Sequence, residues 1–267
     1  MPALHRSILL AAAAFIYPLF GQDPNPNTAL QFEVAVIKPT VDRTMAGLIV
    51  HLPAESGYRG VNMALMNYLT VALQVRTDQI SGPDWVASEY FDMEGKAGRS
   101  CTADELHLML QHLLEERFHI KMHRETKLIA GYNLVVDGGG PKLADHDPED
   151  RLMLPIQPGP GGSRQGKNVS MQYLAFYLSQ ELGQTVVNQT GLKGHYDFNA
   201  KWGFDGPMMV TRAPLGSPDA ADLPEAAPPP GASVFEALRK QLGLRLDKAK
   251  VPTQRIVVDH IERLTDN

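Results

Sequence analysis

Nine histidines and thirty carboxylates are spread along a chain of 267 residues, and spacing decides which of them can share a reactive centre. His107 and His112 stand five apart in a helical stretch, about 500° of rotation at roughly 100° per residue, so their side chains diverge. His119 and His123 share a strand face but lie ~13 Å apart at ~3.3 Å per residue, beyond the reach of one zinc ion. No His-Glu-x-x-His occurs. Asp145-x-Asp147-x-Glu149 opens like a calcium loop, yet Asp150 stands where the turn needs Gly and Ile156 where the loop needs its bidentate Glu. The expectation is therefore no metal and no cofactor.

Nucleophile and phosphate signatures are equally absent from the sequence. There is no Gly-x-Ser-x-Gly and no Ser-x-x-Lys. Gly138-Gly139-Gly140-Pro141-Lys142 lacks the Gly-Lys-Ser/Thr ending of a phosphate loop and reads as a turn after a strand. Gly159-Pro160-Gly161-Gly162 does not open a dinucleotide fold. Carboxylates are numerous, but no glycosidase pair can be nominated from spacing alone. Cys101, the single cysteine, excludes an internal disulfide. Four aromatics, Trp85, Tyr90, Tyr196 and Trp202, remain as candidates for a ligand platform for a glycan or peptide. The competing reading, that they fill the core against helices, is the commoner fate of such residues.

The elements that would position these groups follow one grammar: a capped amphipathic helix, then two short strands. Thr102-Ala-Asp-Glu105 is a capping box, followed by Leu106, Met109, Leu110, Leu113, Leu114 and Phe118 on one stripe. Ser233-Val-Phe-Glu236 repeats it, with Gly243 as the stop, and Ser170 opens a third helix ending at Gly183. Asn62 is the expected cap of a first helix carrying Leu65, Met66, Leu69 and Leu73. Strands are expected at Phe32–Lys38 (stopped by Pro39), Tyr90–Met93, Tyr196–Asn199 and Ile256–Asp259. Two more, Ile120–Glu125 and Tyr132–Val136, should be joined by a turn near Ala130-Gly131. This pattern predicts an α+β fold of repeated helix-plus-strand-pair units, with helices packed on one face of largely antiparallel sheets.

His5 and Arg6 precede the uncharged, mostly apolar run Ile8–Phe20, which has the length of a signal-peptide core and falls short of the ~20 residues of a membrane span. Residues 1–21 thus read as a signal peptide and the product as periplasmic or secreted. Residues 22–203 read as the main domain, with a loop at 144–168 rich in acid, Pro and Gly. Residues 204–232, with Pro228-Pro229-Pro230, read as a linker, and 233–267 as a C-terminal helix-strand-strand unit. A net charge of −5 with scattered basic residues argues against nucleic acid as partner.

Several motifs together resemble a soil-bacterial family of secreted proteins of unknown function: Phe32–Pro39, Ile80-Ser-Gly-Pro-Asp-Trp85, Leu106–Arg124 with His123-Arg124-Glu125, Gly139–Leu143, Val187–Asp197 and Val258-Asp259-His260. The resemblance covers nearly all of the chain after the leader and implies no established activity or catalytic residue. It does imply a domain also found behind membrane peptidases of the BlaR type. Leu73-Gln74 and Asn188 depart from the resembled pattern, which has an aromatic pair and Asp there. Ser233–Leu246 with Arg255–Ile261 also looks like the short N-terminal domain of secretins and TonB-dependent transporters, a protein-docking module. The expectation is a non-catalytic binding module of the cell envelope, whose partner is an envelope protein or peptidase ectodomain. A hydrolase of envelope polymers and a sensory partner of a membrane peptidase are the alternatives.

Overall fold

The computed structural model describes residues 30–44, 47–52, 57–147, 154–159, 163–203 and 233–264. The expected signal peptide and Pro-rich linker lie outside the described residues.

The helices are α1 (Leu65–Leu73), α2 (Trp85–Ser88), α3 (Ala103–Arg117), α4 (Met171–Leu182) and α5 (Val234–Ala237), of which α3, α4 and α5 start at a side-chain cap. In α3 the Thr102 hydroxyl accepts the Glu105 N–H at 3.2 Å while the Glu105 carboxylate accepts the Thr102 N–H at 2.9 Å, so both orphan donors are satisfied. Ser170 caps α4 by accepting from Tyr173 N–H, and Gly183 ends it in the left-handed region. Ser233 caps α5, which runs into a π-type turn, Leu238–Leu242, closed by left-handed Gly243. A side chain at Gly243 would also collide with the Gly140 carbonyl, so its lack of a Cβ serves packing as well as φ.

Asn62 does not cap α1. The helix begins after Ala64 with no side-chain cap, and Asn62 instead sits at a bulge in a strand with φ +50°. Its short polar side chain tolerates that left-handed conformation, which competes with the capping role.

The strands are β1 (Val34–Pro39), β2 (Leu48–Leu52), β3 (Gly57–Ala64), β4 (Ile80–Ser81), β5 (Tyr90–Lys96), β6 (Lys121–Val136), β7 (Ala144–Asp145), β8 (Leu154–Gly159), β9 (Ser163–Ser170), β10 (Val186–Asn188), β11 (His195–Lys201) and β12 (Leu244–His260). They form three four-stranded sheets in the orders β1-β5-β3-β2, β10-β6-β12-β4 and β7-β11-β9-β8. The first and third are antiparallel and take their strands in the same order. The middle sheet is mixed: β6 and β12 pair antiparallel along almost their whole lengths, while β10 joins β6 and β4 joins β12 in parallel. The fold is α+β, as the pattern of elements predicts.

Three local expectations are corrected. The segments flanking Ala130-Gly131 form one continuous strand, β6, because Gly131 pairs with Ala249 inside the ladder instead of turning. Its missing side chain makes room for the Thr185 carbonyl and Val251, a close approach that sequence reading mistakes for a turn. The last unit likewise carries one strand, β12, where two were expected. The stretch expected as a loop at 144–168 holds β7, β8 and most of β9, with β8 and β9 paired as antiparallel neighbours. Polar, glycine-bearing strands at the margin of a sheet lack the apolar alternation that announces a strand.

One contiguous core links all three sheets and the helices, with Leu65, Leu106, Leu110, Phe118, Leu134, Leu174, Leu178, Leu238, Leu244 and Ile256 fully buried. β12 places Leu244 and Ile256 in that core and pairs with β6, so the segment after Ser233 shares its hydrophobic interior with the rest of the chain.

Candidate functional site

The ends of α1 and α4, one face of α3 and the middle of the β6/β12 ribbon enclose a cleft of about 590 Å³. Arg124 and Thr126 of β6 with Pro252 and Gln254 of β12 form one wall. Thr185 to Asn188, entering and forming β10, close a second. Six carboxamides line it: Gln74, Gln79, Gln111, Gln172, Asn188 and Gln254. Among the described residues, Asp104 is the one carboxylate in the lining and His107 the one histidine.

Local structure explains how each group arrives there. Gln74 is the C-cap of α1 in the left-handed region, φ +51°, and its Nε2 donates to Asp104 Oδ1 at 3.2 Å. Asp104 lies in the first turn of α3, where a negative charge is favoured by the helix dipole. Gln254 Oε1 accepts from Arg124 Nη1 at 2.8 Å across the β6/β12 pair, and the Gln254 carbonyl accepts from Gln79 Nε2 at 2.6 Å. Asn188 Oδ1 accepts from the N–H and hydroxyl of Thr190, a local turn that fixes the amide and leaves its Nδ2 without an acceptor among the described residues.

His107 is 2% exposed. Its Nδ1 meets the Tyr58 hydroxyl at 3.2 Å, and Tyr173 stacks on its ring at 5.4 Å. Burial pushes its pKa down to about 4, against the opposing pull of Asp104 and a backbone hydrogen bond to Val71, so the ring is neutral at neutral pH. His107 therefore acts in the wall of the cleft as an uncharged, packed ring.

Among the four aromatics weighed as a platform or as core fillers, Trp202 is 1% and Tyr196 8% exposed, both within the core. Trp202 Nε1 donates to Glu181 Oε2 at 2.8 Å, and the same carboxylate accepts from Arg164 Nε at 2.9 Å. Trp85 and Tyr90 are half-buried, with Arg263 over the Trp85 ring at 4.9 Å and Arg43 over the Tyr90 ring at 4.8 Å. None of the four lines the cleft.

Two of the four histidines weighed from sequence, His119 and His123, pair with carboxylates. His123 Nδ1 lies 2.9 Å from Asp259 Oδ1, joining two of the motifs singled out in the sequence across the β6/β12 ladder. His119 faces Glu262 at 3.3 Å, and His112 Nδ1 meets the Leu30 carbonyl at 3.1 Å. Among the described residues no group of three or more His, Cys, Asp or Glu side chains is arranged to hold a metal ion. Gly140 occupies φ +81° and its N–H bonds back to the Asp137 carbonyl at 2.9 Å, making the glycine run a turn after β6.

Residues 66–261, from α1 to the end of β12, match the sequence profile of a family described as a protein of unknown function, DUF3738. The chain belongs to the DUF3738 family. The matched span contains every residue that lines the cleft, so the cleft is a feature of the DUF3738 portion of the chain. No curated protein and no solved structure matches this DUF3738 chain.

The amide-rich cleft was not legible in the sequence. Its lining is drawn from three helices and three strands, and glutamine carries no motif of its own. The signals that pointed near it were Gln74 and Asn188, singled out as departures from the resembled pattern, and both line it.

Proposed function

We propose that this DUF3738 protein is an exported, non-catalytic binding module that holds its ligand in the cleft between α1, α3, α4 and the β6/β12 ribbon. The carrying observation is the chemistry of the lining. Carboxamides and hydroxyls make up most of its polar side chains, and among the described residues a single carboxylate, Asp104, stands where two-carboxylate hydrolysis needs a pair. Ser179, the serine of the lining, has its hydroxyl committed to the Ala175 carbonyl at 2.8 Å and to the Val186 N–H at 2.9 Å, a packing role at the end of α4. Export rests on the basic His5 and Arg6 before the apolar run Ile8–Phe20. No helix among the described residues is long and apolar enough to cross a membrane. The resemblance noted above makes an envelope protein or a peptidase ectodomain the macromolecular partner.

Thermal-shift screening of the mature protein against fractionated soluble envelope polymers tests this reading. The Gln172→Trp variant, which fills the cleft from an exposed position on α4, serves as the control. Stabilisation of the wild type alone is the expected outcome. Equal stabilisation of both proteins, or release of cleaved products seen by mass spectrometry, contradicts it.

One observation favours the hydrolytic alternative: Asp104 Oδ2 lies 3.9 Å from His195 Nε2, and Asp104 shares the cleft with His107. Under that reading, Asp104→Asn abolishes product release while leaving binding in place.

A further inference from the structure

The cleft's hydrogen-bonding groups divide into those already used by the protein and those left over. Among the described residues, Asn188 Nδ2, Gln254 Nε2 and the whole carboxamide of Gln172 are uncommitted, whereas Gln74 and Gln111 have given their Nε2 groups to Asp104 and Glu115 and keep free oxygens. The Thr185 hydroxyl, on a residue 8% exposed, is buried with no hydrogen-bond partner among the described residues. Donors and acceptors are thus interleaved around one cavity, and a buried unpaired hydroxyl is destabilising unless something from outside the chain satisfies it.

The charges that line the cleft are largely engaged. Asp104 is held by Gln74, Arg76 is paired with Asp78, and Arg124 is bonded to Gln254. Arg76 is neutralised by Asp78, and Arg124 and Asp104, each bonded to a neutral amide, are of opposite sign, so among the described residues the lining has little net charge to attract a strongly charged ligand. An extended peptide would dock by adding to a sheet edge. At β10, the edge strand that lines the cleft, the Val186 N–H already donates to Ser179 Oγ at 2.9 Å, and the same hydroxyl stands against the Val186 carbonyl at 3.4 Å. What suits interleaved donors and acceptors of low net charge is a ligand whose own groups each donate and accept, which is the property of a hydroxyl. Half-buried Phe176 adds an apolar surface to the same lining.

We infer that the cleft recognises a neutral, hydroxyl-rich ligand, a short oligosaccharide segment, through Gln74, Gln172, Thr185, Asn188 and Gln254. This inference rests on the reading of the cleft as a binding site and names its ligand class.

The test is isothermal titration of the full mature protein with short neutral gluco-, manno-, xylo- and N-acetylglucosamine oligosaccharides, beside uncharged peptides of similar length. Gln172→Ala and Asn188→Ala are titrated in parallel, their folding checked by circular dichroism. The expected result is saccharide binding that each variant weakens about three- to tenfold, the loss of one or two net hydrogen bonds. If peptides bind instead and the variants weaken them, the ligand class is wrong while the cleft remains a binding site. If a saccharide binds with unchanged affinity in both variants, its site lies elsewhere and the inference is overturned together with the cleft reading. If neither class binds, the saccharide inference fails.

Discussion

Asp197 Oδ1 accepts the backbone N–H of Asn168 at 2.9 Å, and it does so opposite a bulge. Between Val169↔Tyr196 and Gly166↔Phe198, β9 advances one residue more than β11, and the N–H of the extra residue, Asn168 with φ +57°, loses its place in the ladder. The first sheet repeats the arrangement. Asn62, with φ +50°, sits at the β3/β5 bulge, and its N–H is taken by Asp92 Oδ1 at 2.9 Å. Each aspartate has a second donor, Thr40 Oγ1 on Asp92 at 2.8 Å and His146 Nδ1 beside Asp197 at 2.7 Å. The bulges come just before α1 and α4, so these carboxylates set how both helices leave their sheets toward the cleft.

Asp92→Ala and Asp197→Ala should therefore each destabilise by roughly 1–3 kcal/mol, the cost of orphaning a part-buried donor. Asn in either place keeps an acceptor oxygen and should recover about half. Urea midpoints at neutral pH measure this. A change within a few tenths of a kcal/mol would show that the bulges hold without their carboxylates.

Buried charge gives a second expectation. Arg164 is 5% exposed and is bonded to Glu181 Oε1, which also takes the Tyr177 hydroxyl at 3.0 Å. Glu181→Ala strands a buried guanidinium and the Trp202 N–H together, so a loss of about 3–5 kcal/mol is expected. Glu181→Gln should lose less, since its carbonyl still accepts. Chemical denaturation of the two variants separates the outcomes, and an equal, small loss would mean that Arg164 finds solvent.

The pH response follows from His107. Its folded pKa of about 4 lies below the unfolded 6.5, so between those values the unfolded chain binds the extra proton. The contribution of His107 to stability is therefore complete above 6.5 and falls as pH drops toward 4, by about 3 kcal/mol in all. His107→Phe should be weaker at neutral pH, because the hydrogen bond between the Tyr58 hydroxyl and His107 Nδ1 is lost, and should lack this part of the slope. Unfolding free energy measured across that pH range checks both signs. A wild-type slope that survives the substitution would place the proton elsewhere.

His123 moves in the opposite direction. The Asp259 carboxylate bonded to its ring raises its pKa above the ordinary histidine value. Any stabilisation it brings is present at low pH and lost as pH rises through the raised pKa. Proton NMR titration of the His123 ring should show the raised value in the wild type and a return to the ordinary range in Asp259→Asn.

What the sequence disclosed was governed by how local the cause was. The Thr102–Glu105 box, the Ser170 and Ser233 caps and the Gly183 and Gly243 stops are decided within a few residues, and α3, α4 and α5 begin and end accordingly. Pairing is not local. Tyr90–Met93 and Ile256–Asp259 were readable as strands, but nothing in either run says that β12 takes β6 on one side and β4 on the other. Gly131 illustrates the same limit, since the Thr185 carbonyl that requires its bare Cα comes from a distant segment. The cleft lay furthest from view, because it is defined by which amides remain unbonded once the helices and ribbon have met.

Hydrogen exchange of backbone amides, followed by mass spectrometry with and without short neutral oligosaccharides, probes the cleft most directly. Occupancy between α1, α4 and the ribbon predicts slowed exchange confined to segments around Leu73–Arg76 and Thr185–Asn188, with the oligosaccharide recovered intact. Protection confined to other surfaces, or recovery of shortened sugars, would contradict a non-catalytic cleft.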